Sequence, residues 1–261
     1  MKNLTIIIVT ALLLLLCSTY SQAKIGKQSE SFSVGAGGTL YLDTDTGSID
    51  IVSHDKGTIE VVISRKRLTH EEFEVTFSQD GDDIRIKGDK TGLGSLFSLG
   101  SSGVNFEIKI PSKYNVDLKT SGGSIALSEL EGKVNAYTSG GSIRLGKIRG
   151  DVDVKTSGGS ISVEEVIGNI KGHTSGGSIR ATLLTQPTQD SRLTTSGGSI
   201  TAYLEPSIAV NLNARTSGGS VSSEFDINGK FKRTKIQGEI NGGGPELFLK
   251  TSGGSVRIKK R

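Results

Sequence analysis

Val134-Asn135-Ala136-Tyr137-Thr138-Ser139-Gly140-Gly141-Ser142-Ile143-Arg144-Leu145 is answered 18 residues later by Val152-Asp153-Val154-Lys155-Thr156-Ser157-Gly158-Gly159-Ser160-Ile161-Ser162-Val163. Thr-Ser-Gly-Gly-Ser begins at Thr120, Thr138, Thr156, Thr174, Thr195, Thr216 and Thr251, in steps of 18, 18, 18, 21, 21 and 35 residues. Repetition at a fixed period marks a stacked architecture. Apolar and polar residues alternate on both sides of each glycine pair, the period of a half-buried strand and not of a helix. One repeat turns about five apolar side chains inward, each stabilising by roughly 1.5–3 kcal/mol, against about 1–2 kcal/mol per residue to order its backbone. It cannot fold alone, but stacked coils pair their strands in parallel and share one core. The fold expected is all-β, a single-stranded parallel β-helix, or β-solenoid, with coils of about 18 residues. A left-handed hexapeptide helix places an aliphatic residue every six positions, whereas Gly122 falls six after Val116; the right-handed form is favoured.

The glycine pairs Gly122-Gly123, Gly140-Gly141, Gly158-Gly159, Gly176-Gly177, Gly197-Gly198, Gly218-Gly219 and Gly253-Gly254 read as corners of the coil. At least one corner residue is expected at positive φ, which glycine tolerates, with the flanking serine hydroxyls satisfying corner amides. Residues 24–115 read as a degenerate N-terminal and capping region, in which Asp45-Thr46-Gly47-Ser48-Ile49 is an early corner lacking one glycine. The Gly- and Ser-rich stretch from Gly88 to Gly103 reads as a loop. Residues 116–261 are the regular array, interrupted from Asp226 to Pro245 and ending in one last coil through Leu247-x-Leu249-x-Thr251. The charged Lys259-Lys260-Arg261 terminus is expected to close the column.

Residues 1–23 read as a cleaved secretory signal: Lys2, an apolar run from Leu4 to Cys17, then Ser21-Gln22-Ala23. The run is shorter than the roughly 20 residues of a membrane-spanning helix, so no transmembrane anchor is expected after cleavage. Leu16 stands where a lipid-anchoring site needs a small residue before Cys17. Cys17 is the single cysteine and leaves with the signal. Stability must then come from backbone pairing and not from disulfides. The formal charge is +4. Export argues against nucleic acid and makes an anionic envelope polymer or a surface protein the expected partner. Solenoid ends expose strand edges, so end-to-end self-association is a further expectation.

The chain resembles the bacterial candidate-adhesin, β-strand-repeat families of unknown function. The resemblance rests on Ile108-x-Ile110-Pro111 leading to Val116-x-Leu118-x-Thr120-Ser121-Gly122-Gly123-Ser124-Ile125, on the recurring corners, and on Asn241-Gly242-Gly243-Gly244-Pro245. It implies a right-handed β-helix on an exported or envelope protein, with no assigned catalytic residue.

Solenoids of this kind also host polysaccharide lyases and hydrolases, which need clustered carboxylates. The candidates Glu129, Glu131, Asp151, Asp153, Glu164 and Glu165 read as a solvated face. His54, His70 and His173 lie in unrelated coils without a second ligand at metal spacing. Serine, not aspartate, follows every glycine pair, which excludes a calcium roll. A single threonine column could form a hydroxyl ladder at the surface, as an ice-binding face would. No cofactor motif is present. The reading favoured is a non-enzymatic adhesin-like binding or scaffold protein; the alternative is a carbohydrate-active enzyme. The outward cations Lys119, Arg144, Lys155, Lys171 and Arg180 are the candidate polymer contacts.

Overall fold

The computed structural model describes residues 26–66, 68, 70–91 and 103–261. The signal sequence expected over 1–23 lies outside them, as do residues 92–102. In chain order the strands are β1 (Lys27–Ser33), β2 (Thr39–Thr44), β3 (Ser48–His54), β4 (Thr58–Lys66), β5 (Phe73–Asp80), β6 (Asp83–Lys90), β7 (Gly103–Pro111), β8 (Asn115–Thr120), β9 (Ile125–Glu131), β10 (Val134–Thr138), β11 (Ile143–Arg149) and β12 (Val152–Thr156). They continue as β13 (Ile161–Ile167), β14 (Ile170–Thr174), β15 (Ile179–Leu183), β16 (Ser191–Thr195), β17 (Ile200–Leu204), β18 (Val210–Thr216), β19 (Val221–Ser223), β20 (Asn228–Lys232), β21 (Lys235–Ile240), β22 (Glu246–Thr251) and β23 (Val256–Lys260). The described residues contain no helix. An 11-stranded first sheet and a 12-stranded second sheet, both mostly parallel, enclose one apolar core.

Equal spacing in sequence becomes vertical alignment. Val116, Val134, Val152 and Ile170 stand in one column of the second sheet, and Thr120, Thr138, Thr156 and Thr174 in another. Ile49, Ile125, Ile143, Ile161, Ile179, Ile200 and Val256 form a column of the first sheet. Within β11 the buried residues Leu145 and Ile148 are three apart, with Gly146 and Lys147 both turned outward between them. The same break in alternation recurs at Leu127/Leu130 and Val163/Val166. β15 lacks the break, and the register between β13 and β15 shifts between Val163 and Val166.

The corners differ from expectation in their physical cause. None of the paired glycines takes a positive φ; Gly47, alone in its corner, does, at 121°. Crowding between coils is the reason instead. A Cβ on Gly141 would lie 2.1 Å from the carbonyl oxygen of Gly123 in the coil below, and Gly123, Gly159, Gly177, Gly198, Gly219 and Gly254 are blocked by backbone at similar range. The first glycine of each pair is looser: from Gly140 the nearest atom would be 3.2 Å away, with Gly122, Gly158, Gly176, Gly197, Gly218 and Gly253 between 2.8 and 3.4 Å. A second stacked series, Gly132-Gly150-Gly168, is blocked in the same way at the opposite turn.

The remaining letters of the motif are hydrogen bonds. Thr138 is buried; its hydroxyl donates to the Gly123 carbonyl at 2.7 Å and accepts from the Gly141 amide at 3.3 Å. Thr156 repeats this with Gly141 and Gly159. The Ser142 amide donates to Ser124 Oγ, the Ser160 amide to Ser142 Oγ, and the Ser178 amide to Ser160 Oγ, so the serine hydroxyls do satisfy corner amides. The threonine column faces the core, which removes the surface hydroxyl ladder as a reading.

The degenerate N-terminal segments continue the same columns. Thr44 lies under Thr120, and below it Gly88 of β6 takes the threonine position. A Cβ there would meet Thr44 Oγ1 at 2.7 Å. Gly88–Lys90 therefore belong to a strand, and Gly103 opens the next one, β7, which places Phe106 beside Ile49. Antiparallel strands finish this end: β4 and β1 on the first sheet, β5 on the second. Buried Tyr114 fastens the β5–β6 hairpin, its hydroxyl donating to the Asp82 carbonyl. Burial, then the Asp83 and Asp82 carboxylates, push its phenol up to about 12 from 10.0. Because the folded value is the higher, this contribution is intact below the unfolded value of about 10 and is lost as pH rises through about 12. Tyr114→Phe is expected to cost about 1 kcal/mol near neutrality and to flatten that alkaline loss. Melting curves across the window check it; parallel alkaline declines in both proteins would contradict the assignment.

At the other end the order in space departs from the order in sequence. The last coil in sequence, β22–β23, is not the last in the column: β22 lies between β16 and β18, and β23 between β17 and β19. The Lys259-Lys260-Arg261 terminus accordingly closes nothing. The column is covered by the antiparallel β21 and β20, drawn from the stretch read as an irregular interruption. The long step from Thr216 to Thr251 is this hairpin plus the return of the chain beneath its own preceding coil.

Candidate surface on the second sheet

Outward residues inherit the register of the core, so side chains distant in sequence stand in rows about 4.8 Å apart along the column and about 7 Å apart along a strand. The five cations singled out by sequence divide between the two sheets. Arg144 and Arg180 stand on the first sheet with Ser162 between them, and Thr201 then Arg257 extend that row. At its other end are Ala126 and Asp50. Burial, with the Glu107 carboxylate nearby, holds Asp50 above the usual carboxylate range.

Lys119, Lys155 and Lys171 stand on the second sheet. Lys119 and Lys155 flank Tyr137 in one row, beside a shallow groove of about 480 Å³ that also takes in Thr138 and Ser157. Burial, then Asp153 and Asp117, raise the Tyr137 phenol, which is therefore a neutral hydrogen-bonding group. Lys119 lies 3.8 Å from Asp117. Farther along the same row come His173, Thr194, Lys250, Arg215 and Lys235. In the neighbouring row Lys171 is followed by Arg192, Phe248 and Asn213.

Phe248 is the centre of this cluster. It faces outward yet is only 7% exposed, because the Arg192 and Arg215 guanidinium groups cover its ring at 4.1 and 4.8 Å from the centroid. The ring holds both planes in place by cation–π attraction, leaving guanidinium edges for a ligand. Among the described residues, Lys155, Lys171, Arg192, Arg215, Lys235 and Lys250 make no ion pair. Arg192, Arg215, Phe248, Lys235 and Lys250 were missed in the sequence because the four strands that carry them, β16, β18, β21 and β22, are brought side by side by the chain reversal within the 35-residue step.

The carboxylates are dispersed. Glu129, Lys147 and Glu165 alternate in charge up one column of the first sheet, where Arg261 pairs with Glu165. Glu131 is 3.8 Å from Lys113. Asp151 accepts from the Asn169 side chain at 2.8 Å, and Asp153 stands beside Lys171 on the second sheet. Glu164, exposed, lines a groove of the first sheet with Arg144 and Ser162. His54 Nε2 is 2.8 Å from the Thr58 carbonyl, and His173 Nδ1 is 2.8 Å from Thr194 Oγ1, each on its own strand. No three His, Cys, Asp or Glu side chains gather as a metal site among the described residues.

A family model described as Toastrack DUF4097 matches residues 39–167. No curated protein matches the chain. Among solved structures, a candidate cell adhesion protein from Clostridium sporogenes shares 15% identity at a TM-score of 0.40, over 91% of this chain and 100% of that one. A candidate adhesin from Bacteroides fragilis shares 12% identity at a TM-score of 0.43, over 90% and 97% of the two chains. A candidate lipid binding protein from Parabacteroides distasonis shares 12% identity at a TM-score of 0.37, over 90% and 97%.

Proposed function

The chain belongs, through residues 39–167, to the Toastrack DUF4097 family, whose function is unknown, and from that premise we propose a non-enzymatic, exported binding protein that holds an anionic polymer against its second sheet. The observation that carries this reading is the Arg192–Phe248–Arg215 stack set among unpaired Lys155, Lys171, Lys250 and Lys235. A polymer with regularly spaced carboxylates or phosphates would meet cations at the spacing of the strands, and guanidinium edges recognise such groups through paired hydrogen bonds. The signal-like residues 1–23 would deliver the chain to the envelope or beyond. On this reading the coils wind right-handed, with 18 residues per turn in the regular part, and the straight column offers one ligand chain many weak contacts at once.

The test is retention of the purified chain on immobilised anionic polysaccharides and polyphosphates, with salt raised stepwise and soluble products analysed for new chain ends. Wild type is expected to be retained and released by salt. Arg192→Ala/Arg215→Ala/Lys250→Ala should weaken retention at least about tenfold, equivalent to about 1.4 kcal/mol. Arg144→Ala/Arg180→Ala on the first sheet should leave it within about twofold. Loss from the first-sheet variant alone would move the site to the other face, and new chain ends would replace this reading with a carbohydrate-active enzyme.

A further inference from the structure

The two ends of the column are unlike in charge and in shape. Beyond the coil formed by β6 and β7, the first sheet continues through β4 and β1, and the second through β5 alone. Beyond β18 and β19, the second sheet continues through β21 and β20, and the first stops. Each end is thus a step, the overhang lying on opposite sheets. Among the described residues, the outermost strands of the second sheet, β5 at one end and β20 at the other, each leave one edge unpaired.

These two edges complement one another. β5 carries Glu74 and Asp80 and no cation, whereas β20 carries Lys230 and Lys232 and no acid. Phe231 of β20 is 59% exposed although it lies opposite buried Ile236, on the core side of the sheet. Val75 and Phe77 of β5 also point to the core side, opposite Gly88 and Ile86, and are only half-buried. Direction agrees as well. β5 runs against β6 and the parallel strands, while β20, antiparallel to β21, runs with β18. Two copies placed coaxially therefore bring β20 of one against β5 of the next in antiparallel pairing.

We propose that the partner at each end is a second copy of this chain, joined head to tail by β20–β5 pairing that makes the second sheet continuous from one molecule to the next. Setting Phe231 opposite Val75 covers the exposed ring with Val75 and Phe77 and places Lys232 opposite Glu74, an antiparallel pair of the stabilising kind. The contact is heterologous and does not close on itself, so it builds open filaments instead of a dimer.

Sedimentation of the purified full chain over a concentration series at low salt tests this. Wild type is expected to gain mass with concentration. Lys232→Glu and Glu74→Lys should each associate at least about tenfold more weakly, since like charges then face each other at that pair. An equimolar mixture of the two variants should regain association, because every junction in an alternating chain again joins acid to base. Unchanged circular dichroism melts show that the variants fold. A wild type that stays monomeric at every concentration, association indifferent to both variants, or a mixture that fails to regain it would overturn the proposal. Retention on anionic polymers is measured separately, so loss of self-association with binding intact identifies the failed idea.

Discussion

Gly141→Ala is expected to lower the melting temperature steeply, while Gly140→Ala, one residue earlier, changes it little. The new Cβ at 141 would stand 2.1 Å from the Gly123 carbonyl oxygen and 2.5 Å from the Ser124 amide nitrogen, both backbone atoms of the coil below. No rotamer relieves this. The coils must part by more than about 1 Å at that corner, beyond the range of ordinary overpacking, which costs about 1–3 kcal/mol. Separation also stretches the Thr138 to Gly123 hydrogen bond and the Ser142 amide bond to Ser124. A loss above about 3 kcal/mol corresponds to roughly 6–12 °C or more in a chain of this size. At Gly140 the nearest atom is at 3.2 Å and φ is not positive. The strain there is small and is partly offset by the roughly 0.4–1 kcal/mol that alanine removes from the unfolded chain's entropy. Thermal melts of the two variants decide it; equal shifts would mean that coil contact is not what selects the second glycine.

Thr156→Val is expected to be the next most damaging single change despite conserving shape. Thr156 is fully buried, and its hydroxyl joins the Gly141 carbonyl below to the Gly159 amide in its own coil. Valine fills the same volume but leaves a carbonyl and an amide without that partner, at about 1–3 kcal/mol for each group that finds no substitute. Thr156→Ser keeps both bonds and loses one methyl group, a cost of about 1 kcal/mol. The expected order of melting temperatures is wild type, then serine, then valine. A valine variant as stable as wild type would show that the hydroxyl column is dispensable.

Much of the architecture could be read from residue spacing alone. Identical motifs at equal intervals demand identical environments, and alternation to either side of each motif gives strands. The corner at Gly47 was legible even with one glycine missing. Which glycine of a pair is indispensable was not, since both look alike until the coil below supplies an atom for a Cβ to strike. The inward turn of the threonines was equally hidden, although each sits two residues beyond an apolar position such as Ala136 or Val154 and so shares its face. Position relative to the motif separates the cations: Lys119, Lys155 and Lys171 lie in strands that end at a motif threonine and belong to the second sheet, whereas Arg144 and Arg180 follow the motif serine and isoleucine and belong to the first. Arg192, Phe248 and Arg215 could not be joined by any such rule, because sequence order fails to give stacking order over the last three coils.

That reversal bears on how the molecule is made. A solenoid whose coils stack in chain order can grow as it leaves the ribosome, each turn laid on the one before. Here vectorial growth must halt at the coil of Thr195, because the neighbour that completes it is synthesised only after β18 to β21. The intervening segment, β18 to β21, has no permanent seat until β22 and β23 thread between it and the rest. The segment from β18 to β23 is therefore a single folding unit of high contact order that forms only once β22 and β23 have been made. Strands β22 and β23 act as its keystone.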